Sequence, residues 1–427
     1  MDIIDIHNLF LKCTSVSIDT RKIGVNSFFV AIKGDNFNAN TFAREALDKG
    51  ASYVLIDDED YFIDERTILV NNSLATLQQL AKFHRNYLKL PIIALTGSNG
   101  KTTTKELINA VLSKKFKTKA TVGNLNNHIG VPLTLLSFDA QTEIGIVEMG
   151  ANHKKEIEFL CEIAQPDYGY ITNFGKAHLE GFGGVEGVIQ GKSEMYHYLS
   201  KYDKLAFVNF EDDIQVEKTS KIKAFSFGIN NKIADVNIDH VEADPFVTVS
   251  YLQNKITTHL IGLYNANNVN AAIAIGIYFG VKNEAIKQAL EAYIPENNRS
   301  QLITRGTNEI ILDAYNANPS SMKVAIENFI LLKKVDKILF LGDMFELGEE
   351  SIIEHKGVLD LLINQDTIKC YFIGKDFYKN RISKTNFFFF DNFENFAEAI
   401  KDKKFENNII LIKGSRGMAL ERTLELI

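Results

Sequence analysis

The sequence has few or none of the features that mark disulfide-rich or exported proteins. It contains no tryptophan and only three cysteines, Cys13, Cys161 and Cys370, which lie far apart and share no metal-ligand spacing. This usage argues against a disulfide framework and fits reduced, buried thiols in a cytosol. The opening residues, MDIIDIHNLF, include acids and no basic segment, so we expect no signal peptide.

Long apolar runs and blocks of one charge are also missing. No apolar run approaches 18 residues, so we expect no membrane-spanning segment. The formal net charge is −7 and the pI is near 5.8. Because nucleic-acid binding needs a basic face, we expect no nucleic acid partner. A local positive site for a small anionic substrate is compatible with this balance.

One glycine-rich stretch provides the clearest chemical signal. TGSNGKTTTK follows the strand-like run PIIALT and opens a helical pattern, which is the context of a phosphate-binding loop. The common loop has a glycine five positions before Gly-Lys-Thr. Here Leu95 occupies that position and the first glycine is Gly97, so the loop is two residues shorter. The alternative is a glycine-rich turn that merely precedes a helix.

In this loop, Lys101 would neutralise the terminal phosphates of a nucleotide, and the hydroxyl of Thr102 would bind Mg²⁺. We assign nucleotide contacts to the loop as a whole, that is, to Thr96, Gly97, Ser98, Asn99, Gly100, Lys101, Thr102 and Thr103.

The rest of the chain alternates strand-like and helix-like segments. Its 427 residues are long for one core and indicate two or three domains. We predict an α/β protein with a small N-terminal α/β domain (1–88), a central P-loop ATPase-like doubly wound domain (89–296) and a C-terminal Rossmann-like domain (297–427). Ligands of doubly wound sheets bind at the carboxyl ends of the strands.

Several polar residues follow predicted strands. Glu148 ends the strand GIVEM and is placed to hold Mg²⁺, although a buried or paired glutamate is an open alternative. His178, in TNFGKAHLEGFG, is on local grounds a structural histidine, and Lys192, in QGKSEMY, a solvated helix lysine. Lys413 and Arg416, in KGSRGMALE, flank a Gly-Ser turn that is either an anion site or a capped helix start.

Two further pairs have a functional and a structural interpretation. Asn265 and Asn268 stand at the start of an alanine-rich helix, where amides could bind an adenine edge or cap the helix. Asp313 ends a predicted strand, and Arg299 lies at the predicted domain junction. Either of these two could instead belong to a surface ion pair.

Together these segments resemble the Mur ligases. The shortened loop is shared by that family and the folylpolyglutamate synthetases. Further matches, in the family's order and over essentially the whole chain, are GNLNNHIGVPLTLL, EMGANH, TNFGKAHLEGFG, DAYNANPSSM, LGDMFELGEES and KGSRGMALE. The DAYNANP and LGDM-ELGE stretches are similar to the branch that adds a D-alanyl-D-alanine dipeptide. The D-N-P-R signature of the diaminopimelate-adding branch is absent.

The resemblance implies an ATP-dependent ligase that joins D-alanyl-D-alanine to UDP-N-acetylmuramoyl-tripeptide through an acyl phosphate. This is the final cytoplasmic step of peptidoglycan precursor synthesis. ATP and Mg²⁺ are the implied cofactors, and we expect a cytoplasmic monomer. The sequence leaves open whether the third residue of the acceptor peptide is diaminopimelate or lysine.

The resemblance also implies residue roles. The implied catalytic residues are Lys101, Glu148, His178, Lys192 and Asp313. The implied metal ligands are Thr102, Glu148, His178 and Lys192, the last of them as a carbamate. The residues implied on the nucleotide, beside the loop, are Asn265, Asn268 and Arg299. The implied substrate residues are Asp19, Thr20, Arg21, Lys413 and Arg416. The first three form the DTR stretch, which resembles the uridine-nucleotide-binding D-S-R of the family.

Two stretches depart from the family pattern, and we assign them no role. FNANTF (37–42) replaces a frequent D-G-H, and Tyr264 stands where many relatives have histidine.

Three alternatives remain open from the sequence. The first is another amide ligase of the same fold, either a sibling Mur enzyme or a folylpolyglutamate synthetase. The second is a nucleotide-dependent switch or motor, which would hydrolyse ATP without an acceptor amine. The third is a catalytically inactive UDP-sugar-binding module, against which the intact Lys101, Glu148 and His178 argue.

Overall fold

The computed structural model describes residues 1–296, 298–334 and 336–427. Its main parallel sheets fall within the three predicted segments, and the α/β fold class is confirmed. We propose these segments as the domains. The second predicted boundary falls at residue 297, which lies outside the described residues.

The N-terminal unit is built on a four-stranded parallel sheet. In spatial order its strands are Ser15–Ser17, Ser27–Val30, Ala51–Ile56 and Thr67–Leu69. Its α-helices are Ile3–Phe10, Ala43–Asp48 and Ser73–Leu88. The FNANTF stretch contributes to a short antiparallel pair, Lys33–Gly34 with Phe37–Asn38. Helix Ser73–Leu88 ends at Lys89, which adopts a left-handed conformation before Pro91.

The central unit is built on a seven-stranded parallel sheet. In spatial order its strands are Val236–Ile238, Lys223–Ile229, Leu205–Asn209, Tyr168–Ile171, Ile92–Thr96, Ile144–Glu148 and Thr118–Ala120. Its α-helices are Lys101–Leu112, Gly130–Leu136, Glu156–Ala164, Leu179–Phe182, Val185–Lys201, Asp213–Thr219, Ala266–Tyr278 and Asn283–Ala292.

The strand order positions the site. Ile92–Thr96 lies between Tyr168–Ile171 and Ile144–Glu148, and every residue of Ile92–Thr96 is buried. Because parallel strands end at the same edge of a sheet, the phosphate loop, Glu148 and the loop after Ile171 meet there.

A three-stranded antiparallel sheet also belongs to this part of the chain, and the sequence analysis did not predict it. Its strands are His240–Ala243, Phe246–Tyr251 and Asn254–Ile261. The alternating buried side chains of Asn254–Ile261 share a core with helix Ala266–Tyr278. The sheet therefore anchors the helix that brings Asn265 and Asn268 to the phosphate loop.

The C-terminal unit is built on a six-stranded sheet. In spatial order its strands are Gln301–Arg305, Asn308–Asp313, Ile409–Lys413, Lys337–Gly342, Lys369–Ile373 and Phe387–Phe390. The first pair is antiparallel and the others are parallel. Its α-helices are Pro319–Leu331, Ser351–Leu362, Lys375–Lys379 and Phe393–Ile400. Within the residues described, no helix is both long and apolar enough to cross a membrane.

Candidate active site

A cavity of about 810 Å³ lies between the strand ends of the central sheet and the C-terminal unit. The predicted site residues that line it are Ser98, Asn99, Gly100, Lys101, Thr102, Thr103, Glu148, His178, Asn265, Asn268, Arg299, Asp313 and Lys413. The predicted residues outside its lining are Thr96, Gly97, Lys192, Arg416, Asp19, Thr20 and Arg21. The structure thus gathers most of the predicted site from segments distant in sequence.

Two glycines shape the phosphate loop because no Cβ fits at either position. Gly97 has a φ of +145°, and a Cβ there would lie 1.9 Å from the hydroxyl of Thr172. Gly100 has a φ of +78°, and a Cβ there would lie 2.6 Å from the amide oxygen of Asn268. Both backbone conformations strongly favour glycine. The shortened loop is therefore held tightly between its neighbours.

The backbone N–H groups of the loop divide into two sets. Those of Ser98 and Asn99 donate to the backbone and side-chain oxygens of Asn173, at 3.1 and 3.2 Å. Those of residues 100–103, at the start of helix Lys101–Leu112, have no acceptor in the part of the chain that the structure describes. Free N–H groups at a helix N-terminus can bind anions, so phosphate binding by this set stays a prediction that the geometry fits.

Lys101 supplies the cation of the loop. Its Nζ donates to the carbonyls of Gly97 at 2.6 Å and Ser98 at 3.3 Å. Burial lowers the pKa of Lys101 below its usual value, nearby Arg299 lowers it further, and Glu148 opposes both. The side chain is thus confined against the loop, and a phosphate would restore the stability of its charged form.

Glu148 fits a magnesium ligand. Its side chain is buried, Oε1 accepts from the amide of Asn126 at 2.8 Å, and Oε2 has no partner within the described chain. Thr102 also lines the cavity, and Mg²⁺ prefers oxygen ligands such as carboxylates and hydroxyls. The described residues contain no cluster of three or more His, Cys, Asp or Glu side chains arranged for a metal. This donor set therefore fits an ion that takes most of its ligands from phosphate and water.

His178 links the central unit to the C-terminal unit. It adopts a left-handed conformation, with a φ of 53°, and its Nδ1 is hydrogen-bonded to the carboxylate of Glu346. Burial lowers the pKa of His178, with a smaller contribution from Lys101, while Glu346 raises it. Sequence reasoning missed Glu346, although the residue lies in the quoted LGDMFELGEES stretch.

Lys192 is buried, so the expectation of a solvated helix lysine is wrong. The side chain is 1% exposed, and its Nζ lies 5.3 Å from the centroid of the Phe182 ring. It has no ion-pair partner among the residues described. Burial lowers the pKa of Lys192 well below its usual value, which favours the neutral amine.

Asn265 and Asn268 are tied together behind the loop. The amide of Asn268 donates to the Asn265 oxygen at 2.8 Å and accepts from the hydroxyl of Thr104 at 3.0 Å. The amide of Asn265 donates to the carbonyl of Ile261 at 2.8 Å. Neither side chain caps the helix, so the capping alternative is wrong. Both amides line the cavity, and their contact with adenine stays a prediction.

The C-terminal unit contributes three charged groups that are partly or fully buried. Asp313 and Lys413 end neighbouring strands in register, and Oδ2 of the first lies 2.6 Å from Nζ of the second. Lys413 is only 2% exposed. The guanidinium of Arg299 stacks on the ring of Tyr315 at 3.6 Å, and its Nε is buried without a partner. A surface ion pair is therefore the wrong description of either Asp313 or Arg299.

The remaining predicted substrate residues lie outside this cavity. Asp19 binds the guanidinium of Arg21 at 2.8 Å and caps the short helix that contains Thr20. Arg416 is exposed and pairs with Glu421 at 2.8 Å. Their roles in substrate binding stay predictions.

Comparison with known proteins identifies the class of this site. Residues 95–276 match the Mur ligase middle domain, and residues 298–416 match the Mur ligase glutamate ligase domain. The chain belongs to the Mur ligase family.

Curated relatives that are 29% to 35% identical over nearly the whole chain carry the name of one branch of that family. The chain is 35% identical to the UDP-N-acetylmuramoyl-tripeptide–D-alanyl-D-alanine ligase of Bacillus subtilis, over 96% of this chain and 92% of the relative. MurF from Acinetobacter baumannii superposes with a TM-score of 0.84 at 30% identity, covering 96% of this chain and 92% of that one. MurF ligase from Thermotoga maritima, solved in complex with ADP, superposes with a TM-score of 0.81 at 26% identity, covering 98% of this chain and 97% of that one. The resemblance seen in the sequence is thereby confirmed.

Proposed function

We propose that this protein is an ATP-dependent ligase that joins D-alanyl-D-alanine to UDP-N-acetylmuramoyl-tripeptide, the last cytoplasmic step of peptidoglycan precursor synthesis. One observation carries the proposal. A single cavity contains a phosphate loop, the buried Glu148 with a free carboxylate oxygen, and charged groups of the C-terminal unit. The full-length similarity to the dipeptide-adding ligases supports the choice of substrates.

The reaction needs activation because a carboxylate is a poor electrophile. Attack of a carboxylate oxygen of the tripeptide on the γ-phosphorus of ATP forms an acyl phosphate and releases ADP. The free amine of D-alanyl-D-alanine then attacks the acyl carbon, the C–O bond to phosphate breaks, and the amine loses its proton as the amide forms. The protein has mainly to position the reactants and offset negative charge.

The residues present can do both. The N–H groups of residues 100–103 and the ammonium of Lys101 would hold the terminal phosphates. Glu148, Thr102 and His178 would hold Mg²⁺, which shields the phosphate oxygens from the incoming carboxylate. Arg299 and the Asp313–Lys413 pair would cover the nucleotide from the C-terminal side and keep water from the acyl phosphate.

The proposal includes a carbamate on Lys192. A neutral amine adds CO₂ and loses a proton, and the product is an anionic oxygen ligand. The burial and lowered pKa of Lys192 support a neutral amine, and no carboxylate among the described residues pairs with it. Carbon-13 NMR after equilibration with labelled CO₂ tests this. A carbamate signal that Lys192→Met removes is expected, whereas no signal in the active protein contradicts it.

The finer assignments belong to the same proposal. Asp19, Thr20 and Arg21 would bind the uridine nucleotide, Lys413 and Arg416 the incoming dipeptide. The three unpaired cysteines fit a cytoplasmic location. A monomer is also proposed, and light scattering of the purified protein tests it.

The decisive assay is ADP release from purified protein with ATP, Mg²⁺ and the UDP-linked tripeptide, with and without D-alanyl-D-alanine. We expect release that depends on both substrates, with the UDP-linked pentapeptide as product. Dependence on a different amine would indicate another ligase of this fold. Equal release without any amine would favour a switch or motor, and no release would favour an inactive binding module.

A further inference from the structure

A hydrogen bond joins the phosphate loop directly to the C-terminal unit. The side-chain amide of Asn318 donates to the side-chain oxygen of Asn99 at 2.7 Å. Asn99 lies inside the loop, between its two glycines, whereas Asn318 precedes helix Pro319–Leu331. The contact therefore spans the two parts of the protein that face each other across the cavity.

The Asn318 side chain also caps helix Pro319–Leu331, and this contact fixes the orientation of its amide. Its oxygen accepts from the backbone N–H of Ser321 at 2.9 Å and caps the helix, while the Ser321 hydroxyl completes the capping box with the Asn318 N–H at 3.1 Å. Within a side-chain amide only the oxygen can accept from an N–H, so the amide nitrogen of Asn318 must point the other way. It points at Asn99, and one side chain thus caps a helix and holds the loop.

The surroundings leave little freedom at this contact. A Cβ on Gly175 would lie 3.0 Å from both the Asn99 amide nitrogen and the Ser320 hydroxyl. The next backbone N–H, that of Lys176, donates to the Ser320 hydroxyl at 2.7 Å. The loop after strand Tyr168–Ile171 is therefore packed against the phosphate loop and the helix start together.

We propose that Asn318 is a positioning residue that couples closure of the C-terminal unit to the state of the phosphate loop. A bond made only when the two units are together shifts the open–closed equilibrium by its own free energy. A neutral hydrogen bond of ordinary strength corresponds to about a threefold to tenfold shift. In this proposal nucleotide orders the loop and holds the Asn99 side chain where Asn318 can reach it, so nucleotide strengthens the bond and favours closure. Because coupling is reciprocal, closure then favours nucleotide binding. The inference rests on the proposed function only in that the loop binds the nucleotide.

The test separates this bond from the helix cap. Asn318→Ser keeps a good capping side chain but is too short to reach Asn99 as well. Asn99→Ala removes the other partner, and the double variant completes a thermodynamic cycle. Lys333→Ala is the matched control, since it removes an exposed contact between the same units, Lys333 to Asp244 at 2.7 Å, that does not touch the loop.

Two readouts follow on the full chain. Small-angle scattering with and without ADP and Mg²⁺ reports closure, and ADP release reports kcat and KM. We expect the closed-to-open ratio with nucleotide to fall threefold to tenfold in Asn318→Ser, with a similar fall in kcat and no further loss in the double variant. Lys333→Ala should match the parent.

Three results would overturn the inference: parent-like closure in Asn318→Ser, additive effects in the double variant, or a parent whose scattering does not respond to nucleotide. Scattering needs no acceptor amine, so it distinguishes failure of this inference from failure of the proposed dipeptide substrate.

Discussion

Replacing Lys101 with methionine should abolish most of the activity and leave the fold intact. The ammonium contacts only two loop carbonyls, at 2.6 and 3.3 Å, and has no carboxylate partner among the described residues. Methionine retains much of the apolar stem of lysine, and it replaces an ammonium that burial already disfavours, as the lowered pKa of Lys101 shows. We therefore expect the free energy of unfolding to change by less than about 1 kcal/mol. Loss of a preorganised cation beside developing charge costs about 3 to 4 kcal/mol of transition-state stabilisation, or roughly 100- to 1,000-fold in kcat.

The assay is ADP release at saturating substrates, beside a denaturation curve for each protein. Lys105→Met is the matched control, because Lys105 lies one turn further along the same helix and its Nζ donates to the carbonyl of Thr121 at 2.8 Å. That variant should lose about 1 to 3 kcal/mol of stability by leaving a buried carbonyl unpaired, while kcat stays within tenfold of the parent. If Lys101→Met turned over within tenfold of the parent, the phosphate-clamp assignment would be refuted.

Three further predictions concern other parts of the molecule. Gly97→Ala should weaken ADP binding more than 100-fold by titration calorimetry, because a Cβ would lie 1.9 Å from a threonine hydroxyl, and unchanged affinity would count against the tight loop. Lys413→Met should cost about 3 kcal/mol, because the Asp313 carboxylate loses its ion-pair partner and keeps the hydrogen bond from the backbone N–H of Ser300 at 3.1 Å. Adding Asp313→Asn should recover most of that loss, and additive losses in calorimetry would contradict the pairing. Burial, and to a smaller extent the neighbouring His84, lower the pKa of His7 from 6.5 to about 4. As the pH falls from 6.5 to 4 the unfolded state therefore binds the proton first, and the free energy of unfolding should drop by up to about 3 kcal/mol. The check is the free energy of unfolding in urea, followed by circular dichroism, as a function of pH in the parent and in His7→Gln. If the variant lost as much stability between pH 6.5 and 4 as the parent, this prediction would be disproved.

Much of the fold could be predicted because buried parallel strands can be recognised from the local sequence. The predicted strands PIIALT and GIVEM are short apolar runs, and the structure has the strands Ile92–Thr96 and Ile144–Glu148 at these positions. The antiparallel strands Phe246–Tyr251 and Asn254–Ile261 were not predicted, because their polar and apolar residues alternate weakly in the sequence and their partners are set by tertiary packing.

The site was predictable only where chemistry is local. Glu148 followed from its position at a strand end, and the phosphate loop from its glycines. No local pattern shows that Lys192 is buried or that His178 meets Glu346, since both depend on how distant segments pack. The resemblance supplied those residues, and the structure supplied their surroundings.

The central claim is that the short glycine loop holds the terminal phosphate of ATP while divalent cations at Glu148 screen it. The most direct test is a crystal structure of the protein with a non-hydrolysable ATP analogue and Mg²⁺. We expect the β and γ phosphates against the N–H groups of residues 100–103, with the Lys101 ammonium on the γ-phosphate and the free oxygen of Glu148 facing a cation. A triphosphate bound anywhere else would contradict the account.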